Sequence, residues 1–146
     1  MTPLFRSLAV IGPGLIGSSV LRRARETGAI AETLIAADSN PGVLERVREL
    51  GIADITTSDP AVAAQADCVM ICVPVGAVEP VARQVLPFMK PGSILTDVAS
   101  VRGQLGPTLA AVLPENVAYV PGHPMAGTEH SGPDAGFSTL FEDRWA

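Results

Sequence analysis

Gly12-Pro13-Gly14-Leu15-Ile16-Gly17 follows the apolar run Leu8-Ala9-Val10-Ile11 and leads into Ser18-Ser19-Val20-Leu21-Arg22-Arg23-Ala24. That succession reads as strand, tight turn and helix start. The first glycine permits the turn, the second lets backbone approach a pyrophosphate, and the third lets helix pack on strand. The helix start, at Leu15 and Ile16, offers free N–H groups and a positive dipole end to phosphates. About twenty residues later, at the distance a dinucleotide fold requires, the apolar run Leu34-Ile35-Ala36-Ala37 ends in Asp38. A carboxylate there can accept hydrogen bonds from a ribose 2′-hydroxyl. It would repel a 2′-phosphate, and Ser39-Asn40 bring no cation to offset it, so the expected coenzyme is NAD rather than NADP. A glycine-rich turn without a ligand, and a surface Asp38, is the alternative.

Apolar runs alternate with helical patterns along the chain. Strands are expected at 7–11, 33–37, 68–73, 93–96 and 117–120, with a short one near Ile55. Helices are expected near 16–27, 41–50, 59–64, 78–88 and 101–112. Pro41 and Pro60 follow the capping residues Asn40 and Asp59, as proline at a first helical position does. Gly28, Gly51 and Gly92 stand where helix ends or turns call for positive φ. Regular βα alternation predicts an α/β fold, a Rossmann-type doubly wound parallel sheet. Strands buried on both faces explain why 47% of the residues are hydrophobic.

The net charge of −5, without a run of Lys or Arg, argues against nucleic acid as a partner. The longest apolar stretch, 68–78, is too short to cross a membrane and is broken by Pro74 and Gly76. Cys68 and Cys72 lie four apart on one expected strand, and at about 3.3 Å per residue they are beyond disulfide reach. They read as small core side chains in a reducing cytoplasm, not as a metal or redox pair. No Cys/His spacing suggests a metal.

The residues able to carry chemistry follow strand ends. His123 lies between Gly122 and Pro124, which shape the backbone around an imidazole suited to proton exchange near neutral pH. A satisfied loop histidine is the other reading, and the preferred one for His130. Ser100, in Thr96-Asp97-Val98-Ala99-Ser100-Val101-Arg102, is a natural N-cap whose hydroxyl would also sit near the sheet's carboxyl edge. Asp97 reads as a loop-fixing acceptor rather than a base. Val73 and Pro74 end the central strand, either as an apolar wall beside the coenzyme or as a plain strand stop. From Pro121 on, glycine and proline are dense, in a loop expected at the ligand-binding edge of the sheet.

Gly12–Ser19, Asp38, Cys72–Val75, Thr96–Arg102 and His123–Gly132 together resemble the prephenate/arogenate (cyclohexadienyl) dehydrogenase family of tyrosine biosynthesis. The most specific part is His-Pro-Met-Ala-Gly-Thr-Glu-His-Ser-Gly at 123–132, followed by Gly136-Phe137 and Phe141-Glu142-Asp143-Arg144-Trp145. The resemblance implies NAD-dependent oxidative decarboxylation of prephenate or arogenate by a cytoplasmic homodimer. It makes His123 the catalytic histidine that accepts a hydrogen bond from the substrate hydroxyl, and Ser100 the serine that assists it. Gly127, Thr128 and Glu129 match the substrate and gating segment. Arg102 stands where the family often has Lys.

The family continues into a helical domain that supplies a substrate-binding arginine and most of the dimer interface. The 146 residues hold no counterpart of it. The chain therefore reads as one NAD-binding domain over 1–146, incomplete at its C-terminal end, truncated before that helical domain and inactive alone. Two rivals share the N-terminal fingerprint. A β-hydroxyacid dehydrogenase-type oxidoreductase would not predict the 123–132 loop, and a non-catalytic NAD(H)-sensing module would not need His123 and Ser100.

Overall fold

The computed structural model describes residues 3–98 and 113–121. The elements run β1 (Phe5–Ile11), α1 (Leu15–Thr27), β2 (Ala31–Ala37), α2 (Pro41–Leu50), β3 (Ile55–Thr57), α3 (Pro60–Ala63), β4 (Cys68–Ile71), α4 (Val75–Val85), β5 (Ile94–Asp97) and β6 (Ala118–Pro121). A 3-10 turn, Leu86–Phe88, extends α4. The strands form one sheet in the order β3-β2-β1-β4-β5-β6, and every pairing is parallel. The order reverses between β1 and β4, which is where open α/β sheets leave a crevice beyond their carboxyl ends.

Alternating residues feed two cores. Leu8, Val10, Leu34 and Ala36 face one side with Leu21, Ala24 and Val47 of α1 and α2. Ala9, Ile11, Val69, Ile71 and Leu95 face the other with Val78, Ala82 and Val85 of α4. Leu8, Val10, Val69, Ile71 and Leu95 are at most 2% exposed, so the central strands are dry on both faces. Each such side chain contributes roughly 1.5–3 kcal/mol of burial.

Local punctuation is as the sequence predicts. Asn40 caps α2 by accepting from Gly42 N, and Asp59 caps α3 by accepting from Ala61 N, each with proline next in the helix. Gly28, Gly51 and Gly92 have φ of 66°, 68° and 85°. Boundaries differ most in two places. β1 and β2 begin at Phe5 and Ala31, two residues early, because the Phe5–Ala31 pairing continues past the point where the apolar pattern fades. β4 stops at Ile71 and α4 starts at Val75 instead of 78, so Pro80 falls inside the helix. The missing Pro80 N–H leaves the Gly76 carbonyl without its helical donor. Gly76 itself is exposed. The helix expected at 101–112 lies outside the described residues. Among the described residues no helix is long and apolar enough to cross a membrane.

Candidate functional site

The end of β1 is held from both sides. Gly12 N donates to Ala37 O at 2.9 Å, and Cys72 N donates to Ile11 O at 2.7 Å. Gly12 then turns the chain with φ of 83°, a conformation that favours glycine. A Cβ on Gly12 would lie 2.8 Å from Val73 Cγ1 and 3.2 Å from the backbone of Cys72 and Val73. A Cβ on Gly17 would lie 2.8 Å from Gly12 O and from Val10 Cγ1. Turn, helix and the end of β4 are thus in backbone contact, and only glycine allows it.

Gly14 is the N-cap of α1 and contributes no side-chain cap, and the first turn holds no acid. The first helical bond is Ser18 N to Gly14 O at 2.9 Å, so the amides of Leu15, Ile16 and Gly17 precede the helical ladder. They form an uncapped positive end, a cradle for an anion. Ser18 and Ser19 are buried and direct their hydroxyls back to the carbonyls of Gly14 and Leu15. Their small size keeps α1 close to the sheet without stranding a polar group.

Asp38 follows β2 and is half-buried. Its Oδ1 accepts from Asn40 N at 2.8 Å, which fixes the carboxylate, and its own N donates to Thr57 O. Asp38 and Gly12 line the same cleft of about 240 Å³. Ile11, Ala37, Pro60, Val73 and Val81 give it apolar walls, and Ser39, Ser58 and Gln84 give it neutral polar rims. Asp38 is the one charged residue in this lining among the described residues. Val73 is therefore a wall of the cleft, while Pro74 is the exposed N-cap of α4 and not part of the lining.

Beside the cleft, Asp97 ends β5 at 1% exposure. The Tyr119 hydroxyl donates to its Oδ2, so Asp97 acts as an acceptor that fixes strand ends. Burial, reinforced by the Asp97 carboxylate, pushes the Cys72 thiol up to about 12. Burial pushes Cys68 up to about 11, and both thiols are free. Among the described residues no cluster of His, Cys, Asp and Glu could hold a metal ion.

Of the residues singled out from sequence, Gly12, Gly14, Leu15, Ile16, Gly17, Asp38 and Val73 meet at this sheet edge. Ser100, His123, Gly127, Thr128 and Glu129 lie outside the described residues. Ser58, Val81, Gln84 and Tyr119 were not singled out, and Pro60 was read only as the proline after a cap. Val81 and Gln84 could have been found from their spacing of three on a helix flanking the expected crevice.

The sequence profile of the prephenate dehydrogenase nucleotide-binding domain matches residues 21–146. Cyclohexadienyl dehydrogenase of Zymomonas mobilis is 43% identical over 143 residues, covering 96% of this chain and 47% of that protein. The crystal structure of Aquifex aeolicus prephenate dehydrogenase with hydroxyphenyl propionate and NAD+ superposes with a TM-score of 0.86 at 29% identity, over 95% of this chain and 48% of that one. Synechocystis arogenate dehydrogenase gives 0.85 at 28% identity, over 94% and 48%. The chain thus spans less than half the length of each of these relatives. It belongs to the prephenate dehydrogenase family, whose nucleotide-binding domain it carries.

Proposed function

We propose that this chain is the coenzyme-binding part of an NAD-dependent dehydrogenase that oxidatively decarboxylates prephenate, arogenate or both in tyrosine biosynthesis. The observation that carries the reading is the pairing of the closed glycine turn with Asp38 across one cleft. The residues fit the coenzyme. The amides of Leu15, Ile16 and Gly17 would hold the pyrophosphate, and the Asp38 carboxylate would accept from the adenosine ribose hydroxyls. The relative crystallised with NAD+ and a hydroxyphenyl acid supports both halves of the proposal.

Bound NAD+ supplies the acceptor for a hydride from the hydroxyl-bearing ring carbon. The chain's own task is orientation and one proton, since aromatisation drives the loss of the ring carboxylate as CO2. His123, as a neutral imidazole, accepts the hydrogen bond of the substrate hydroxyl and holds its proton as the carbon is oxidised. A protonated ring has no lone pair for that task. Ser100 steadies the same hydroxyl, and Gly127, Thr128 and Glu129 border the substrate. Residues 1–146 are the coenzyme domain in this reading, and a helical domain supplies the substrate's cationic partner and the homodimer contact.

The test offers the full-length protein NAD+ with prephenate, arogenate or 3-hydroxyisobutyrate and follows nicotinamide reduction. Turnover with a cyclohexadienyl acid is expected, falling roughly 10²–10⁴-fold in His123→Asn. Turnover with 3-hydroxyisobutyrate alone, or coenzyme binding without turnover, overturns the proposal.

A further inference from the structure

The cleft that carries Asp38 is smaller than the roughly 300–1,000 Å³ of a pocket for a complete drug-sized ligand. At about 240 Å³ it suits one nucleoside of a dinucleotide. Asp38 marks the sugar's place in it. Pro60, Val73 and Val81 give the cleft apolar walls of the kind a flat ring packs against. Among the described residues, Ser58 and Gln84 join Ser39 as its neutral polar side chains. A hydroxyl rotates to donate or accept and so does not discriminate between ring edges. An amide offers a donor and an acceptor side by side.

Gln84 is placed to use both. On α4 the residues Val78, Ala82 and Val85 are fully buried against the sheet. Val81 and Gln84, three apart on the neighbouring stripe, line the cleft. The Gln84 side chain is exposed at the rim, whereas Arg83 beside it is engaged with Glu79. Gln65, the other glutamine near this end of α4, spends its amide on Ala61 O and Phe88 O.

We propose that Gln84 reads the base of the coenzyme. Its Oε1 accepts from the exocyclic amine of adenine and its Nε2 donates to N7, the bidentate pairing that glutamine makes with adenine elsewhere. Hypoxanthine carries an oxygen where adenine carries the amine. Facing two neighbouring acceptors, the amide can satisfy only one of them. Gln84 is thus a specificity-determining residue for an adenine dinucleotide over a 6-oxopurine one. This inference rests on the coenzyme reading above.

The experiment titrates the chain with NAD+ and with nicotinamide hypoxanthine dinucleotide by calorimetry. The wild type binds NAD+ roughly tenfold more tightly, and Gln84→Leu brings the two within about twofold by weakening NAD+ the more. Gln84→Glu keeps the preference, because a carboxylate still accepts from the amine and repels the 6-oxo group. Gln65→Leu leaves the ratio at the wild-type value. Equal affinities in the wild type, or an undiminished preference in Gln84→Leu, overturn the role of Gln84 and leave the coenzyme reading intact. If neither dinucleotide binds the wild type, the coenzyme reading falls and the role of Gln84 falls with it.

Discussion

The Tyr119 hydroxyl donates to the carboxylate of Asp97 and ties the carboxyl ends of β5 and β6 together. In the sheet register Tyr119 faces Leu95, and its ring reaches two residues along to Asp97. An acid at 1% exposure is costly unless its charge is met by donors. Tyr119→Phe keeps the ring and removes the donor. We expect a loss of about 1–3 kcal/mol, the usual range for a hydrogen bond to a charged group in a buried place. Urea denaturation reads it directly, and an unchanged midpoint at an unchanged slope would show that this bond contributes nothing to stability.

Two glycine substitutions should act with opposite sign. Gly17→Ala puts a methyl 2.8 Å from the Gly12 carbonyl, which is backbone and cannot swing away. Overpacking of this kind costs roughly 1–3 kcal/mol, and opening the turn should abolish dinucleotide binding as well. Gly76→Ala adds its methyl to open space inside α4. There alanine should stabilise by about 0.5–1 kcal/mol, because it removes freedom from the unfolded chain and favours the helix. Thermal melts of the two variants moving in the same direction would contradict the packing at Gly17 or the open space at Gly76.

The glycine turn, the Asn40 and Asp59 caps and the prolines after them were legible because each is a local device. Their physics is complete within a few residues. The dense apolar runs of β1, β2 and β4 were legible for the same reason, since a strand buried on both faces carries its own signature. β3 is only three residues long and partly exposed, so its identity comes from pairing with β2 and its sequence signal is faint. Tyr119 with Asp97, and Gln84 with Asp38, were illegible because the pairing of β5 with β6 and the packing of α4 beside the sheet, not any local device, bring them to one place. Gln84 in particular reads as one more polar residue on an exposed helix until the cleft is seen beside it.

Asp38 should decide between coenzymes. Its Oδ1 is fixed by Asn40 N, so the carboxylate cannot easily turn away from a 2′-phosphate. Among the described residues the cleft lining offers no cation to neutralise that phosphate. A like charge in partly screened surroundings is worth on the order of 1–3 kcal/mol, or roughly ten- to hundredfold in affinity. NAD+ should bind the wild type more tightly than NADP+ by that factor. Asp38→Ala should erase most of the difference, weakening NAD+ while sparing NADP+. Calorimetry that finds NADP+ equal or tighter in the wild type would remove this role from Asp38.

At the opposite end of the sheet, Lys90 Nζ stands 2.7 Å from Asp67 Oδ1, and Arg6 N donates to Oδ2 at 3.0 Å. The Lys90 bond is the main reason the Asp67 carboxyl is held below its ordinary value of 3.8, and the Arg6 amide adds to it against the opposing pull of burial. A carboxyl lowered by folding stabilises the fold when ionised, so the contribution is complete above the unfolded value and fades as pH falls through the folded one. Lys90→Gln should therefore be less stable than the wild type at neutral pH. The gap should close on acidification below pH ~4, where the unfolded carboxyl takes up its proton. The Lys90 side chain is 45% exposed, so solvent screens the pair and the gap should be small and shrink further in high salt. Urea midpoints of both proteins across pH 3–7 give the answer. A gap that persists undiminished at the acidic end would mean that Lys90 stabilises the sheet through its packed stem and not through Asp67.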